Sequence, residues 1–401
     1  MKVRQELSAR EVDEMQQGLM RRLGDSSVPT LPQVAVKIIE LMGNQHTTIN
    51  QFADVIKSDQ GLTGRLLRLA NSAMFAQRQP VTQLQRAMVL MGMERLKAMS
   101  LGFHLSKAMV ADEGPFSLKR LWTQSLFRSW LALHIAETMD KRISGEAFIV
   151  GLLSDAGMAV MTKLQGEDYS KAVNPNDTPS RQYLAEMRSL PFTHLDASVV
   201  LCRVWKLPEL LARPIGFHHM PAKPASKDDP ASILHAVAYY VGTLPLDPEG
   251  QTTDESMQPE LAERLFGLRP CDMVDLIDRS AGTFKSTREM FSHMLAADLS
   301  VDSIVETANK NASDHDSNSR SEGKGEAVGT YRAAGMVFEL HRGPERSVIA
   351  FISDEAGNRL VREEIDPHGD NERQIRDKLM LLDARPDEIR PIMAGIRAMA
   401  A

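Results

Sequence analysis

The chain has 401 residues, of which 43% are hydrophobic and 25% are charged, and its formal net charge is −6 at pH 7. At roughly 150 residues per domain, this length predicts two or three domains. The composition is typical of a soluble globular protein and excludes a largely disordered or membrane-embedded chain. The acidic balance argues against nucleic-acid binding, because phosphate recognition usually brings an excess of Lys and Arg.

Targeting and redox signals are sparse. Residues 1–22 are charged throughout and lack the apolar core of a secretory signal. We expect no membrane segment, because no run approaches the roughly 18 apolar residues of a transmembrane helix. Cys202 and Cys271 form no CxxC motif and cannot build a disulfide framework. We therefore expect a cytoplasmic protein with reduced thiols.

Up to about residue 308, the sequence predicts helices throughout. Apolar residues recur at helical spacing after Pro32 and after Asn50, and Gly92 marks a helix end. Long helices are predicted over 117–139, 144–164, 193–205, 230–243 and 271–297. We divide this region into an N-terminal helical segment (1–27), a helical domain (28–220) and a helical extension of the same domain (221–308).

The sequence changes character after residue 308. Residues 309–325 contain a single apolar residue, Ala312, and predict a flexible, disordered linker. Three runs rich in Val, Ile, Phe and Tyr follow, and they predict a three-stranded meander over Tyr331–His341, Ser347–Ser353 and Arg359–Ile365. Two helices are predicted to complete a small α+β domain over 326–401. The predicted class is mainly α, with an α+β domain at the C-terminus.

Residues 28–102 contain a long ordered set of motifs. They read VPTLPQVAVKIIELM, then INQFADVIKSDQGLTGRLLRLANSAMF, then QPVTQLQRAMVLMGMERLKAMSLG. This stretch resembles the HDOD family, a signalling-associated branch of the HD-domain phosphohydrolases, and the likeness continues more weakly to about His219. The resemblance covers roughly half the chain and implies an all-helical, HD-like bundle. It implies nothing about the C-terminal domain.

Five polar residues of these motifs are candidates for a family surface: Asp59, Arg65, Arg68, Asn71 and Ser72. The apolar ridge of the same helix leaves the two arginines towards its polar side. Asn71 has two interpretations. It is either a structural cap at the end of the helix or a contact on an exposed recognition surface.

The resemblance also implies where a metal site would lie. Catalytic HD proteins hold metal with a His, a His-Asp pair and a distal Asp, and the metal activates water. These positions here carry Gln124, then Ser154 and Asp155, then Ala238 (or Val237, by a shift of one). Three of the four ligands are therefore missing. We expect no catalytic residue and no cofactor.

Three histidines nearby match extra ligand positions of the two-metal cyclic-dinucleotide phosphodiesterase branch, although the glycine-tyrosine-proline motif of that branch is absent. With Asp155 they leave one divalent metal ion open as an alternative. Otherwise His218 and His219 would satisfy carbonyls at a helix end, and Asp155 would cap a helix or pair with a buried imidazole. The predicted vestigial HD pocket comprises Gln124, Ser154, Asp155, His194, His218, His219 and Ala238.

The sequence favours a non-catalytic scaffold in bacterial signal transduction, which binds signalling proteins or a nucleotide second messenger in the vestigial pocket. The first alternative is a residual metal-dependent HD phosphohydrolase or phosphodiesterase that uses Asp155, His194, His218 and His219. The second is a DNA-binding regulator, because residues 52–70 have helix–turn–helix texture. The leucine-rich second helix instead favours a hairpin buried in a bundle. No feature indicates an oligomeric state.

Overall fold

The computed structural model describes residues 2–24, 31–42, 47–72, 75, 79–109, 117–244, 246, 258–293, 295, 328–333, 336–343, 347–354, 359–379, 381 and 386–400. The chain forms two units, Met1–Ser313 and Asp314–Ala401. The described part of the first unit is helical, and the second combines a sheet with two helices. The predicted fold class is therefore confirmed. The predicted linker, 309–325, lies outside the described residues.

The first unit is built from helices of 6 to 22 residues. In chain order they are α1 (Ala9–Gly24), α2 (Gln33–Met42), α3 (Ile49–Lys57), α4 (Gln60–Ala70), α5 (Leu84–Met91), α6 (Met93–Met109), α7 (Leu118–Met139), α8 (Ser144–Leu153), α9 (Ala156–Gln165), α10 (Glu167–Ala172), α11 (Pro179–Ser189), α12 (His194–Val204), α13 (Glu209–Gly216), α14 (Pro230–Thr243), α15 (Pro259–Phe266) and α16 (Pro270–Thr287). Short 3-10 helices lie at Arg4–Glu6 and Lys141–Ile143.

Helix α7 is the centre of this unit. Apart from Gln124, it is buried from Leu121 to Ala136, and it packs against α8, α14 and α16. Trp122 and Trp130 are each 1% exposed and anchor that packing, as the sequence predicted. Helix α4, the second helix of the suspected DNA-binding hairpin, buries Leu62 and Leu66 completely. It is therefore a bundle helix with an apolar face turned inwards.

The predicted helix over 144–164 is wrong in one respect, because it is interrupted at Ser154 and Asp155. Helix α8 ends at Leu153 and α9 begins at Ala156. The Ser154 hydroxyl donates to the carbonyl of Val150 at 2.7 Å, which competes with the regular helical pattern. The interruption separates two helix axes and leaves the Asp155 carboxylate buried between them.

One stretch of the first unit passes the length and composition test for a membrane helix, although the sequence predicted no membrane segment. Lys141–Gln165 is long and apolar enough to cross a membrane by length and composition, and 83% of its most apolar window is buried inside the unit. Such burial is typical of a core helix. A second predicted helix, 271–297, ends earlier than expected, since α16 ends at Thr287 and turns follow over 288–293.

The second unit has four strands where the sequence predicted three. They are β1 (Gly329–Ala333), β2 (Met336–Arg342), β3 (Val348–Asp354) and β4 (Arg359–Ile365), in an antiparallel sheet of order β1-β2-β3-β4. The first predicted strand is a hairpin, because Ala333 pairs with Met336. Only two residues separate these partners in the sequence. Two helices follow, α17 (Glu372–Lys378) and α18 (Pro386–Ala400), and α18 packs on β1, β2 and β3.

Candidate functional site: a buried histidine–aspartate cluster

Four of the predicted pocket residues converge in the first unit. Potential ligand atoms of Asp155, His194, His218 and His219 all lie within 4.8 Å of one another, and all four side chains are buried. We call them the histidine–aspartate cluster. Asp155 comes from the interruption between α8 and α9, His194 is the first residue of α12, and His218 and His219 follow α13. Helix α12 packs on both α9 and α13, which brings these elements together.

Two imidazoles of the cluster face the same carboxylate oxygen. His218 Nε2 lies 3.3 Å from Asp155 Oδ1, and His194 Nε2 lies 3.9 Å from it. The two Nε2 atoms are 3.3 Å apart. Three atoms that can each donate a lone pair therefore converge on one small volume. Such an arrangement requires a proton or a cation between them, because unshielded lone pairs repel.

Hydrogen-bond acceptors outside the cluster fix which ring nitrogen of His194 and of His218 faces the other cluster residues. His194 Nδ1 donates to Glu186 Oε2 at 2.6 Å, and His218 Nδ1 donates to the carbonyl of Ile215 at 2.8 Å. Both acceptors lack hydrogen, so each Nδ1 carries the proton. This leaves Nε2 as the inward atom in both rings. Carboxylate and carbonyl partners of this kind are the usual support of metal-binding histidines.

Glu186 on α11 is a fully buried carboxylate. Its Oε2 also accepts the backbone N–H of His194 at 2.7 Å, and its Oε1 accepts the hydroxyl of Tyr169 at 3.0 Å. Burial lowers the pKa of His194, but the carboxylates of Glu186 and Asp155 outweigh it, and the net pKa is raised. The cluster is thus able to keep positive charge at His194.

Arg128 on α7 forms a buried ion pair with Asp155. Its Nη1 donates to Asp155 Oδ2, and its Nη2 donates to the carbonyl of Leu244 at 3.1 Å. Burial raises the pKa of Asp155, but Arg128 and His218 outweigh burial, so the pKa lies well below its usual range. The carboxylate is therefore ionised, with one oxygen held by the guanidinium and the other turned towards the histidines.

Three buried atoms of the cluster have no hydrogen-bond partner among the residues that the structure describes: Asp155 Oδ1 and both ring nitrogens of His219. Burial lowers the pKa of His219 well below its usual value, which keeps this ring neutral. Tyr183 stacks on it at a centroid distance of 5.0 Å. Three imidazoles and a carboxylate are a donor set that zinc and similar divalent ions accept once the ligating nitrogens carry no proton. The residues present therefore fit one metal ion, held by Asp155, His194, His218 and His219.

The other three predicted pocket residues do not join the cluster. The Gln124 amide donates to the carbonyl of Leu246 at 2.6 Å, and the Ser154 hydroxyl is turned back to its own helix. Ala238 is completely buried in α14. A different residue of that helix adjoins the site, because a Cβ added at Gly242 would lie 2.7 Å from His218 Cδ2. Helix α14 therefore provides no ligand to the cluster, and its Gly242 leaves room for the ring of His218.

The surface-motif residues lie elsewhere and have structural contacts. Asp59 begins α4 by accepting the backbone N–H of Leu62 at 2.9 Å. The Asn71 amide donates to the carbonyls of Leu67 and Val81, both at 2.8 Å, and its oxygen accepts the N–H of Val81 at 2.6 Å. Asn71 therefore acts as a helix-end residue that also closes a loop. Arg65, Arg68 and Ser72 line a groove against the turn after α16.

Sequence reasoning missed Arg128 and Glu186, the two charged residues that support the cluster. A signal existed for Arg128, because it is the one Arg, Lys, Asp or Glu between Trp122 and Ile135. A charge in such a run is rarely buried unless it has a partner. Glu186 gave a weaker signal, since α11 also contains two other charged residues, Arg181 and Arg188, which are partly exposed.

The first unit is an all-helical bundle that buries the histidine–aspartate cluster. The chain contains an HDOD domain, since the family model "HDOD domain" matches residues 28–221. It shares its fold with an HDOD domain protein of unknown function from Geobacter sulfurreducens, which is 22% identical with a TM-score of 0.52 and covers 71% of this chain and 99% of its own. It also shares it with a candidate signal transduction protein from Marinobacter aquaeolei VT8, which is 19% identical with a TM-score of 0.55 and covers 72% of this chain and 67% of its own.

Two further similarities extend this comparison. A candidate phosphohydrolase from Shewanella amazonensis SB2B is 22% identical with a TM-score of 0.52, and the match covers 69% of this chain and 97% of that one. An uncharacterized protein from Treponema pallidum (strain Nichols) is 25% identical over 219 residues, which are 54% of this chain and 42% of the relative. The match therefore spans less than half the length of that curated relative.

Proposed function

We propose that this protein is a non-catalytic HDOD signalling scaffold that binds protein partners. The ion pair between Arg128 and Asp155 is the observation that carries the proposal. Asp155 is the one retained residue of the HD ligand set, and a guanidinium already neutralises it. A hydrolytic metal centre needs an open coordination position for water. The described surroundings of Asp155 instead offer a cation, two imidazoles and buried backbone.

Burial of the cluster supports the same proposal. His194 and His218 are 0% exposed, Asp155 is 2% exposed and His219 is 4% exposed. A nucleotide or a phosphodiester would have to displace Arg128 or Tyr183 to reach these atoms. Binding of a nucleotide second messenger in this pocket is therefore less favoured than binding of proteins elsewhere on the surface. The signal-transduction name of the Marinobacter protein agrees with such a role.

The decisive assay is hydrolysis by the purified full chain. Cyclic dinucleotides and a generic phosphodiester are offered with Mn²⁺, Mg²⁺ or Zn²⁺, and release of product is compared with that of Asp155→Asn. The proposal expects equal background rates for the two proteins. A metal-dependent rate that Asp155→Asn abolishes would overturn it and favour a residual phosphohydrolase.

A second candidate is that the cluster holds one metal ion with a structural role. The convergence of the two inward Nε2 atoms on Asp155 Oδ1, with a neutral, unpartnered His219 beside them, favours it. Four protein ligands without an open position are typical of structural sites. When bound, the ion would supply positive charge that holds α9, α12 and the turn after α13 together.

Elemental analysis tests this second candidate. Protein purified without chelators is expected to contain close to one equivalent of a divalent metal, and His218→Ala is expected to lose it. Metal content at background level in the unmodified protein would refute the structural ion, while the scaffold proposal would stand. The matched control is His235→Ala, because His235 follows α13 on a separate helix, α14, outside the cluster.

A further inference from the structure

A second polar site lies away from the histidine–aspartate cluster, at the end of α4. Arg65, Arg68 and Ser72 line one wall of a groove, and Ser286, Glu289 and Met290 line the other. We call it the α4 groove. It joins the HDOD motif to residues of α16 and the turn after it, which lie beyond the family match of 28–221.

Arg65 is fixed in this groove by contacts on two sides. Its Nη1 donates to the carbonyls of Glu289 and Met290, at 3.2 and 2.9 Å. Its guanidinium carbon lies 5.2 Å from the ring centroid of Phe103, a cation–π distance. These contacts use one terminal nitrogen and one face of the guanidinium. Its remaining N–H donors make no hydrogen bond within the described part of the chain.

Arg68 has an exposed and weak partner. Its Nε lies 3.5 Å from Glu289 Oε1, and the two side chains are 59% and 81% exposed. Surface pairs of this kind contribute little and are readily exchanged. Close by, the Ser72 hydroxyl is buried and has no hydrogen-bond partner within the described ranges of the chain. The groove thus combines a fixed arginine, an arginine on an exchangeable carboxylate and an unused hydroxyl donor.

We propose that the α4 groove binds a phosphate group between Arg65, Arg68 and Ser72, and that the Glu289 carboxylate occupies Arg68 until the phosphate displaces it. Two guanidinium groups and a hydroxyl match the acceptors of a phosphate monoester, which takes paired N–H donors from arginine. The lining carries two positive charges and one negative charge, so a dianion gains from the exchange. The ligand class is a small phosphorylated molecule or free phosphate.

This inference goes beyond the scaffold role and does not depend on the cluster. It predicts opposite effects for two exposed residues. Arg68→Gln is expected to weaken phosphate binding at least about 10-fold, because a charge-assisted hydrogen bond is lost. Glu289→Gln is expected to tighten it about 3- to 10-fold, because the competing carboxylate is gone. Arg10→Gln is the matched control, since its side chain is 89% exposed and lies outside the groove.

The experiment titrates inorganic phosphate, and separately a nucleoside 5′-monophosphate, into the full chain and these variants by calorimetry at constant ionic strength. Opposite shifts for Arg68→Gln and Glu289→Gln with either probe support the site. Tighter binding of the nucleotide than of phosphate identifies a phosphorylated small molecule as the preferred source, and equal binding identifies free phosphate. No saturable binding at millimolar concentrations, or equal affinities in all the variants, overturns the proposal.

Discussion

Glu186 accepts two hydrogen bonds from one residue, His194, through both its backbone N–H and its ring. The distances are 2.7 and 2.6 Å, and one carboxylate oxygen accepts both. The same contact therefore begins α12 and orients the imidazole. Because the carboxylate is fully buried, it has no water to replace these partners.

Glu186→Gln is expected to destabilise the first unit by about 2–3 kcal/mol, since a neutral amide replaces a charged acceptor of buried hydrogen bonds. Urea unfolding followed by tryptophan fluorescence measures this, because all three Trp residues lie in that unit. Glu167→Gln serves as the control, as its side chain is 85% exposed. Equal stabilities for the two variants would contradict the role given to Glu186.

The buried Arg128–Asp155 ion pair predicts that the effects of substituting its two residues on the free energy of unfolding do not add. Arg128→Met alone leaves a buried carboxylate without its guanidinium, and we expect a loss of about 3–5 kcal/mol. The double variant Arg128→Met/Asp155→Leu removes both charges and should recover most of that loss. A double-mutant cycle by urea unfolding of chelator-treated protein measures the coupling. Purely additive losses would show that the pair is not a coupled unit.

The N-terminal segment is fastened to α12 by Arg4. Its Nε donates to Asp196 Oδ2 at 2.7 Å and its Nη2 to Oδ1 at 3.2 Å. Arg4→Ala should cost about 2–3 kcal/mol and speed hydrogen exchange across α1, because a nearly buried carboxylate loses its cation. Arg10→Ala, on the exposed face of α1, should change little. Exchange that stays equally slow in Arg4→Ala would exclude this fastening.

Two helical glycines predict opposite outcomes. A Cβ at Gly157 would collide with the backbone carbonyl of His194, where α9 and α12 approach most closely, whereas a Cβ at Gly282 would meet nothing within 4 Å. Gly157→Ala should destabilise the unit by about 3 kcal/mol or more and disturb the cluster. Gly282→Ala should stabilise it by about 0.5–1 kcal/mol, as the helix loses a flexible residue. Thermal unfolding distinguishes the two, and a stable Gly157→Ala would refute the close approach.

Glu146 predicts a pH dependence of stability. Burial raises the pKa of this carboxyl to about 7, with a smaller contribution from Glu94, and its Oε2 has no hydrogen-bond partner. The folded pKa lies above the unfolded value of 4.5, so the folded state binds the proton more tightly and stability falls as pH rises from 4.5 to about 7.

Glu146→Gln is expected to remove the loss of stability that the unmodified chain shows as the pH rises. At pH 8 the variant should be more stable than the unmodified chain by about 1–3 kcal/mol, and at pH 4 the two should be equal. Urea unfolding across this range measures the difference. Glu14→Gln is the control, because its side chain is 60% exposed. A constant difference between variant and parent at all pH values would argue against a buried, titrating Glu146.

Helical periodicity predicted the main elements because most helices here have one apolar face. It failed at Ser154 and Asp155, because both residues are tolerated inside helices and only tertiary contacts to Ser198 and Arg128 decide the break. In the second unit, the predicted strand merged β1 and β2, because only two residues separate them in the sequence and neither is a charged residue or a proline.

The candidate site was predicted in part. The resemblance to HD proteins pointed to Asp155, His194, His218 and His219, and these do converge. It gave no indication of Arg128, whose partner lies 27 residues away in sequence. A lone charge in the sequence indicates that a partner is needed, but which residue becomes the partner depends on which helices pack together, and no local pattern encodes that.

Asn71 holds the end of α4 next to the residues that precede α5. Its amide pairs with both the N–H and the carbonyl of Val81, as a neighbouring strand would, across a separation of 10 residues. One side chain therefore sets the distance between the end of α4 and the approach to α5. Changes in the number of residues between these two points should leave the bundle intact, because doubling a closed loop costs only about 0.6 kcal/mol. The number of residues between Asn71 and Val81 is therefore expected to matter less for this fold than the amide that joins the two positions.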